Sequence, residues 1–114
     1  MPAQGVHPPP TEKDAAGLPA QVDWSLVPGV VLPVLDQATC GSCWTFGAMG
    51  TIQGRNAIKH GSLTPLSHQS AMDCTWPEGN YGCDGGNDFL AYSWFLSQGN
   101  GGIPTATTYG SYLG

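Results

Sequence analysis

The stretch Asp36-Gln37-Ala38-Thr39-Cys40-Gly41-Ser42-Cys43-Trp44-Thr45-Phe46 restricts the fold more than any other part of the chain. It reads as a loop that passes directly into a helix, with Cys43 in the first helical turn. The 17 glycines and 10 prolines favour turns over long regular elements, so this helix is what the rest must be arranged around. It should run to about His60 and stop at Gly61, a residue suited to the left-handed conformation that closes a helix. Trp44, Ala48 and Ile52, with Phe46, Met49 and Ile58 nearby, supply apolar contacts at roughly helical spacing. Gly47, Gly50 and Gly54 cost on the order of 1 kcal/mol each relative to alanine, which predicts a closely packed backbone or a buried helix. Arg55, Lys59 and His60 suit the negative end of its dipole.

The same junction carries chemistry. Ser42 is the expected N-cap, its hydroxyl accepting a hydrogen bond from a free N–H of the first turn. The exposed N–H groups and the dipole favour negative charge at Cys43, hence thiolate over thiol. Gln37 lies just upstream, with an amide able to donate to a developing oxyanion beside the Cys43 N–H. A nucleophile and an anion hole thus fall within one short segment.

At 114 residues there is room for one modest domain. The net charge is −5, and only Lys13, Arg55 and Lys59 are lysine or arginine, so no basic stripe exists to neutralise phosphates and no nucleic-acid partner is expected. No apolar run approaches membrane-spanning length, so no membrane partner is expected either. The start lacks the charged-then-apolar pattern of a signal peptide. Cys40, Cys43, Cys74 and Cys83 suggest an oxidising compartment, and four cysteines can pair in three ways.

Met1 to Gly17, rich in Pro, Ala and Gly, reads as a disordered linker or propeptide remnant, and His7 within it has no expected role. Order begins at Val22-Asp23-Trp24, with Trp24 a core or interface anchor. Val27 to Leu35 is interrupted by Pro28 and Pro33, which makes it an extended edge segment. Thr64-Pro65-Leu66-Ser67 turns into a short helix capped by Ser67 and carrying Gln69 to Cys74, with His68 exposed in its first turn. Thr75 to Asp88 is loop, and its Gly85-Gly86 pair lets a peptide backbone approach closely and form strand-like hydrogen bonds. Asn87 or Asp88 opens a third helix ending at Gly99, whose Phe89, Leu90, Tyr92, Trp94, Phe95 and Leu96 should pack the core. Gly101 to Gly114 is rich in glycine and threonine.

From about Leu18 to the last residue these motifs resemble a papain-like (cathepsin-type) cysteine peptidase. Cys40-Gly41-Ser42-Cys43-Trp44 matches the signature around that family's nucleophile. Leu18-Pro19 with Val22-Asp23-Trp24 is similar to its mature N-terminus, Ser67, Gln69 and Asp73-Cys74 to its second helix, and Tyr81-Gly82-Cys83-Asp84-Gly85-Gly86 to its substrate loop. Tyr109 and Tyr112 resemble a loop that crosses between lobes. The resemblance implies an α+β, papain-like fold, of which residues 18–114 are the mainly helical left lobe, truncated, with the β-rich right lobe missing. It implies Cys43 as nucleophile and Gln37 as oxyanion donor, with Gly41, Ser42, Trp44, Gly85, Gly86, Asp88 and Phe89 at substrate-binding positions. It implies a Cys40–Cys83 disulfide, a partner for Cys74 outside this chain, and a free Cys43. No metal or cofactor is implied. Partners would be a peptide or protein substrate, the missing C-terminal lobe, and a propeptide or cystatin-like inhibitor, in a lysosomal, endosomal or secreted setting.

A thiol peptidase also needs an imidazolium to pair with its thiolate. His60 lies about 25 Å along the helix from Cys43 at 1.5 Å per residue. Neither it nor His68 nor His7 resembles the family's catalytic histidine, which comes with its asparagine from the second lobe. The chain is therefore expected to carry the nucleophile of an endopeptidase acting through an acyl-enzyme, and to be inactive alone. His68 stands where the family usually has an acidic residue, and Gly47 where it has a small hydroxyl residue. Glu78, Asp84 and Asp88 make the binding side acidic, which mildly favours basic peptides. Asp88 and Phe89 would line the pocket for the second residue before the cut. An aspartate is unusual there and reads better as solvated loop charge. Three rivals stand beside this reading. The first is a papain-like module kept for binding alone. The second is a Cys40/Cys43 dithiol redox module, which needs a preceding strand that the prolines disfavour and which Cys40–Cys83 pairing would reject. The third is a zinc site, for which Cys74 and Cys83 lack the spacing.

Overall fold

The computed structural model describes residues 8–114. Met1 to His7, and with them part of the stretch read as linker, lie outside the described residues. Within the rest of that stretch Glu12–Ala16 (α1) forms one helical turn that composition does not announce. Thr11 and Asp14 close it as a reciprocal capping box, and the hydrogen bonds from Thr11 hold the Asp14 carboxyl below its ordinary pKa. The turn buries nothing, and every residue from 8 to 29 is exposed. Trp24, in a short 3₁₀ turn over Trp24–Leu26, keeps 49 % of its surface open and so is not a core residue of this chain. Val27 to Leu35 forms no strand ladder; it lays Val30 against the central helix and leaves Val34 solvated.

The central helix α2 spans Cys43–His60, and Gly61 ends it at φ 70° with its N–H on the Ala57 carbonyl. Both ends fall where the sequence puts them. The buried face does not: it runs through Trp44, Thr45, Ala48, Met49, Gln53 and Ala57, in steps of three and four, while Ile58 is exposed. Gln53 can lie on that face because its Oε1 accepts the Leu66 N–H at 2.8 Å. Of the three helix glycines, only Gly54 meets another backbone, the Val30 carbonyl, at ordinary contact; a methyl at Gly47 or Gly50 would touch nothing.

Two helices cover that face. α3 (His68–Cys74) starts at Ser67, whose hydroxyl accepts from the Ser70 N–H. α4 (Asp88–Ser97) starts at Asn87, whose side chain accepts from the Phe89 N–H. Ala48, Ala71 and Ala91, one from each helix, are fully buried, and such small side chains let the helices approach one another. Around them sit Cys40, Trp44, Met49, Met72 and Phe95. The aromatic richness of α4 is only partly core: Ala91 and Phe95 are buried, whereas Phe89 and Leu96 face solvent.

After a turn at Gly99–Gly102 the chain returns along Pro65–Ser67, with an isolated bridge from Leu66 to Thr105, and ends in α5 (Ala106–Tyr109) beside α3. Tyr109 donates to Asp73 at 2.7 Å, and that hydrogen bond keeps the phenol protonated well above its usual range. Gln69 also donates to Asp73, and it accepts from the Leu113 N–H. The described residues thus form a helical lobe without strands, consistent with the left half of the α+β fold expected.

Candidate active site

Two loops meet at the start of α2. A disulfide joins Cys40 to Cys83, the Gly41 N–H donates to the Cys83 carbonyl at 2.9 Å, and the Trp44 indole donates to the Gly82 carbonyl at 3.2 Å. Glycine is required where they touch. A Cβ on Gly41 would collide with the Cys83 carbonyl oxygen, and one on Gly86 would come within 2.6 Å of the Trp44 ring. Asn80, fully buried, shapes the second loop: it donates to the Thr75 hydroxyl and accepts from the Asn87 N–H. Nothing in the local sequence marks Asn80 for this task.

Cys43 emerges from this frame exposed and unbridged. Ser42 stands at the cap position, yet its hydroxyl does not cap the helix. Its backbone, at φ −99° and ψ 13°, lies outside the extended region that capping requires, and its hydroxyl is turned to Tyr112 at 2.6 Å. The Cys43 and Trp44 N–H groups consequently have no partner among the described residues. These are the donors that attract an anion at a helix start.

Gln37 is half-buried three residues before Cys40, and its Nε2 donates to the Cys40 carbonyl at 2.8 Å. One of its two amide hydrogens is thereby fixed and the other remains to donate elsewhere. Ala38 sits beside it at φ 56°, held by the bond from its N–H to Asp36 Oδ1. In the glycine-rich loop the Gly85 carbonyl is taken by the Tyr81 N–H, and the Gly86 N–H and carbonyl have no partner among the described residues. That leaves the N–H and carbonyl of one residue, the pair a strand presents to its neighbour, beside the face that bears Trp44. Asp88 and Phe89 open α4 and are both exposed.

His68 is not the exposed residue expected. It is half-buried, its ring 4.2 Å from Phe46 and near Tyr112, with Nδ1 enclosed and unpartnered. Burial lowers its pKa. No imidazole hydrogen-bonds Cys43 among the described residues. With Cys40 bound to Cys83, the Cys40/Cys43 dithiol of the redox reading does not exist in this structure.

Comparison with known proteins now bears on what this frame is for. The family model described as papain family cysteine protease matches residues 18–114. The chain belongs to that family. It is 41 % identical over 109 residues to cathepsin J of Rattus norvegicus, covering 96 % of this chain and 32 % of the relative. It is 44 % identical over 92 residues to cathepsin L2 of Homo sapiens, covering 81 % of this chain and 27 % of the relative. It is 44 % identical over 92 residues to a cathepsin L-like peptidase of Aedes aegypti, covering 81 % and 26 %. The chain therefore spans between about a quarter and a third of the length of these papain-family relatives.

Proposed function

We propose that this chain bears the nucleophile side of a cysteine endopeptidase, with Cys43 attacking the peptide carbonyl. The observation that carries the reading is the placement of an exposed thiol at an uncapped helix start, at the end of a loop in which the Gln37 amide is fixed on the Cys40 carbonyl. In the reaction the sulfur bonds to the carbonyl carbon, and the carbonyl electron pair moves onto oxygen. The Cys43 N–H and the second Gln37 amide hydrogen meet that oxygen. Gly86 pairs with the substrate backbone, while Gly41, Ser42 and Trp44 shape the wall between the loops. Asp88 and Phe89 flank the position of the second residue before the cut, and the charges of Glu78, Asp84 and Asp88 mildly favour a basic peptide.

The proton transfers need a base that the described residues do not place at Cys43. We assign it, with its asparagine, to the longer part that the relatives possess and this chain does not span. A groove of about 590 Å³ along α2 is the seat proposed for that second lobe. It is lined by apolar side chains from Trp24, Val31, Leu35, Phe46 and Ile58. Family membership supports peptide or protein substrates, control by a propeptide or a cystatin-like inhibitor, and a lysosomal, endosomal or secreted location. No helix among the described residues is long and apolar enough to cross a membrane.

One experiment tests both halves of the proposal. The purified chain is treated with iodoacetamide and mapped by mass spectrometry, and a parallel sample is incubated with a fluorogenic peptide. Cys43 should be alkylated well ahead of Cys74, and peptide turnover should be absent. Alkylation of Cys43 no faster than Cys74 would sink the nucleophile assignment. Turnover blocked by the thiol reagent would show that the base lies in this chain.

A further inference from the structure

We infer that Tyr112 is a positioning residue that fixes the anion hole beside Cys43, an inference that rests on the nucleophile reading above. Its phenol donates to the Gln37 carbonyl at 2.8 Å and lies 2.6 Å from the Ser42 hydroxyl. A phenol has one proton. With that proton on a carbonyl, which can only accept, the Ser42 hydroxyl must donate to the Tyr112 oxygen. One side chain thus holds both ends of the loop that leads to the nucleophile. At one end is the backbone from which the Gln37 amide springs; at the other is the residue directly before Cys43.

Three features make this a clamp and not a passing contact. Ser42 is fully buried, so its hydroxyl has no water to turn to. The Tyr112 ring packs edge-on against Phe46 at 5.4 Å, with His68 behind it, so swinging the phenol away would give up both aromatic contacts. Between the clamped points Ala38 holds a left-handed φ of 56°, and such a backbone persists only where its surroundings over-determine it. An oxyanion donor helps only when it is in place before charge develops, and small misplacements are expensive in rate.

The test separates ring packing from the hydroxyl and the anion hole from the thiol. A peptide aldehyde adds to Cys43 reversibly. The sulfur bonds to the carbonyl carbon, the carbonyl pair moves to oxygen, and the thiol proton ends on that oxygen, in the anion hole. Iodoacetamide alkylates the same sulfur, releasing iodide and the thiol proton, and develops no oxyanion. In Tyr112→Phe, measured in the 114-residue chain, the aldehyde dissociation constant should rise about tenfold while the alkylation rate stays within about twofold. Ser42→Ala approaches the clamp from its other arm and should move the aldehyde constant in the same direction. An unchanged aldehyde affinity in both variants overturns the inference. So does an equal loss in both reactions, since the hydroxyl would then serve only the fold. A parent chain that alkylates at Cys43 yet forms no aldehyde adduct overturns the reading underneath, and this inference with it.

Discussion

Ala38 occupies a backbone region where an L side chain costs roughly 1–2 kcal/mol, and glycine avoids that cost at the expense of some chain entropy. Ala38→Gly should therefore stabilise the fold by about 0.5–1 kcal/mol, read as a higher urea midpoint. A lower midpoint would mean that the Ala38 methyl makes contacts worth more than its strain. Such strain is invisible in the sequence, where Ala38 is one loop residue among several. The sequence reads Gly86 as room for an approaching peptide backbone; within the chain what leaves no room for a methyl there is the Trp44 ring and the Asn80 side chain, which the local sequence does not announce. Ser42 was legible only in part. Its type and place announce a cap, but the group that claims its hydroxyl comes from 70 positions further on. No local pattern carries that information.

Among the elements, the limits of α2 could be read directly, because the loop before Cys43 and Gly61 after His60 are local signals. Its buried face could not. Thr45 and Gln53 lie inward because their polar groups find partners in the Ser42 carbonyl and the Leu66 N–H, and apolar periodicity is blind to such pairing. Similarly, α4 has too many large side chains for one buried face, so some must stay in solvent. Gly50 makes the element-scale prediction. It sits inside α2 with open space where a methyl would go, so Gly50→Ala should stabilise the helix by about 1 kcal/mol and raise the thermal midpoint. A neutral or destabilising result would show that the glycine answers to something not packed against it here. The second lobe proposed for the groove that Gly50 lines would be the first candidate.

At the scale of the whole molecule, acid sensitivity follows from His68. Burial pushes its folded pKa below the ordinary 6.5, so in mildly acidic solution the unfolded chain takes up a proton that the folded chain refuses. Stability is full above the unfolded value and falls as pH drops from about 6.5 toward the depressed folded value. Phe46 and Tyr112 face the ring, Arg55 is the charged residue that shares its groove, and no carboxylate lines that groove to favour an imidazolium. Thermal midpoints should decline between pH 7 and pH 5, and His68→Leu should flatten that decline. An unchanged slope in the variant would assign the acid sensitivity to other groups. The family and its helical lobe were legible because several motifs stand in one order along the chain. For the site, the sequence names Gln37 and Cys43 as candidates, and among the described residues no imidazole hydrogen-bonds Cys43.

The tail has a practical consequence. Leu113 is tethered to Gln69, and Tyr112 beside it reaches Gln37 and Ser42. A load placed on residues 112 and 113 would be felt at Gln37, Ser42 and Gln69 together. A label on residues 8–29, which are exposed, avoids those three contacts.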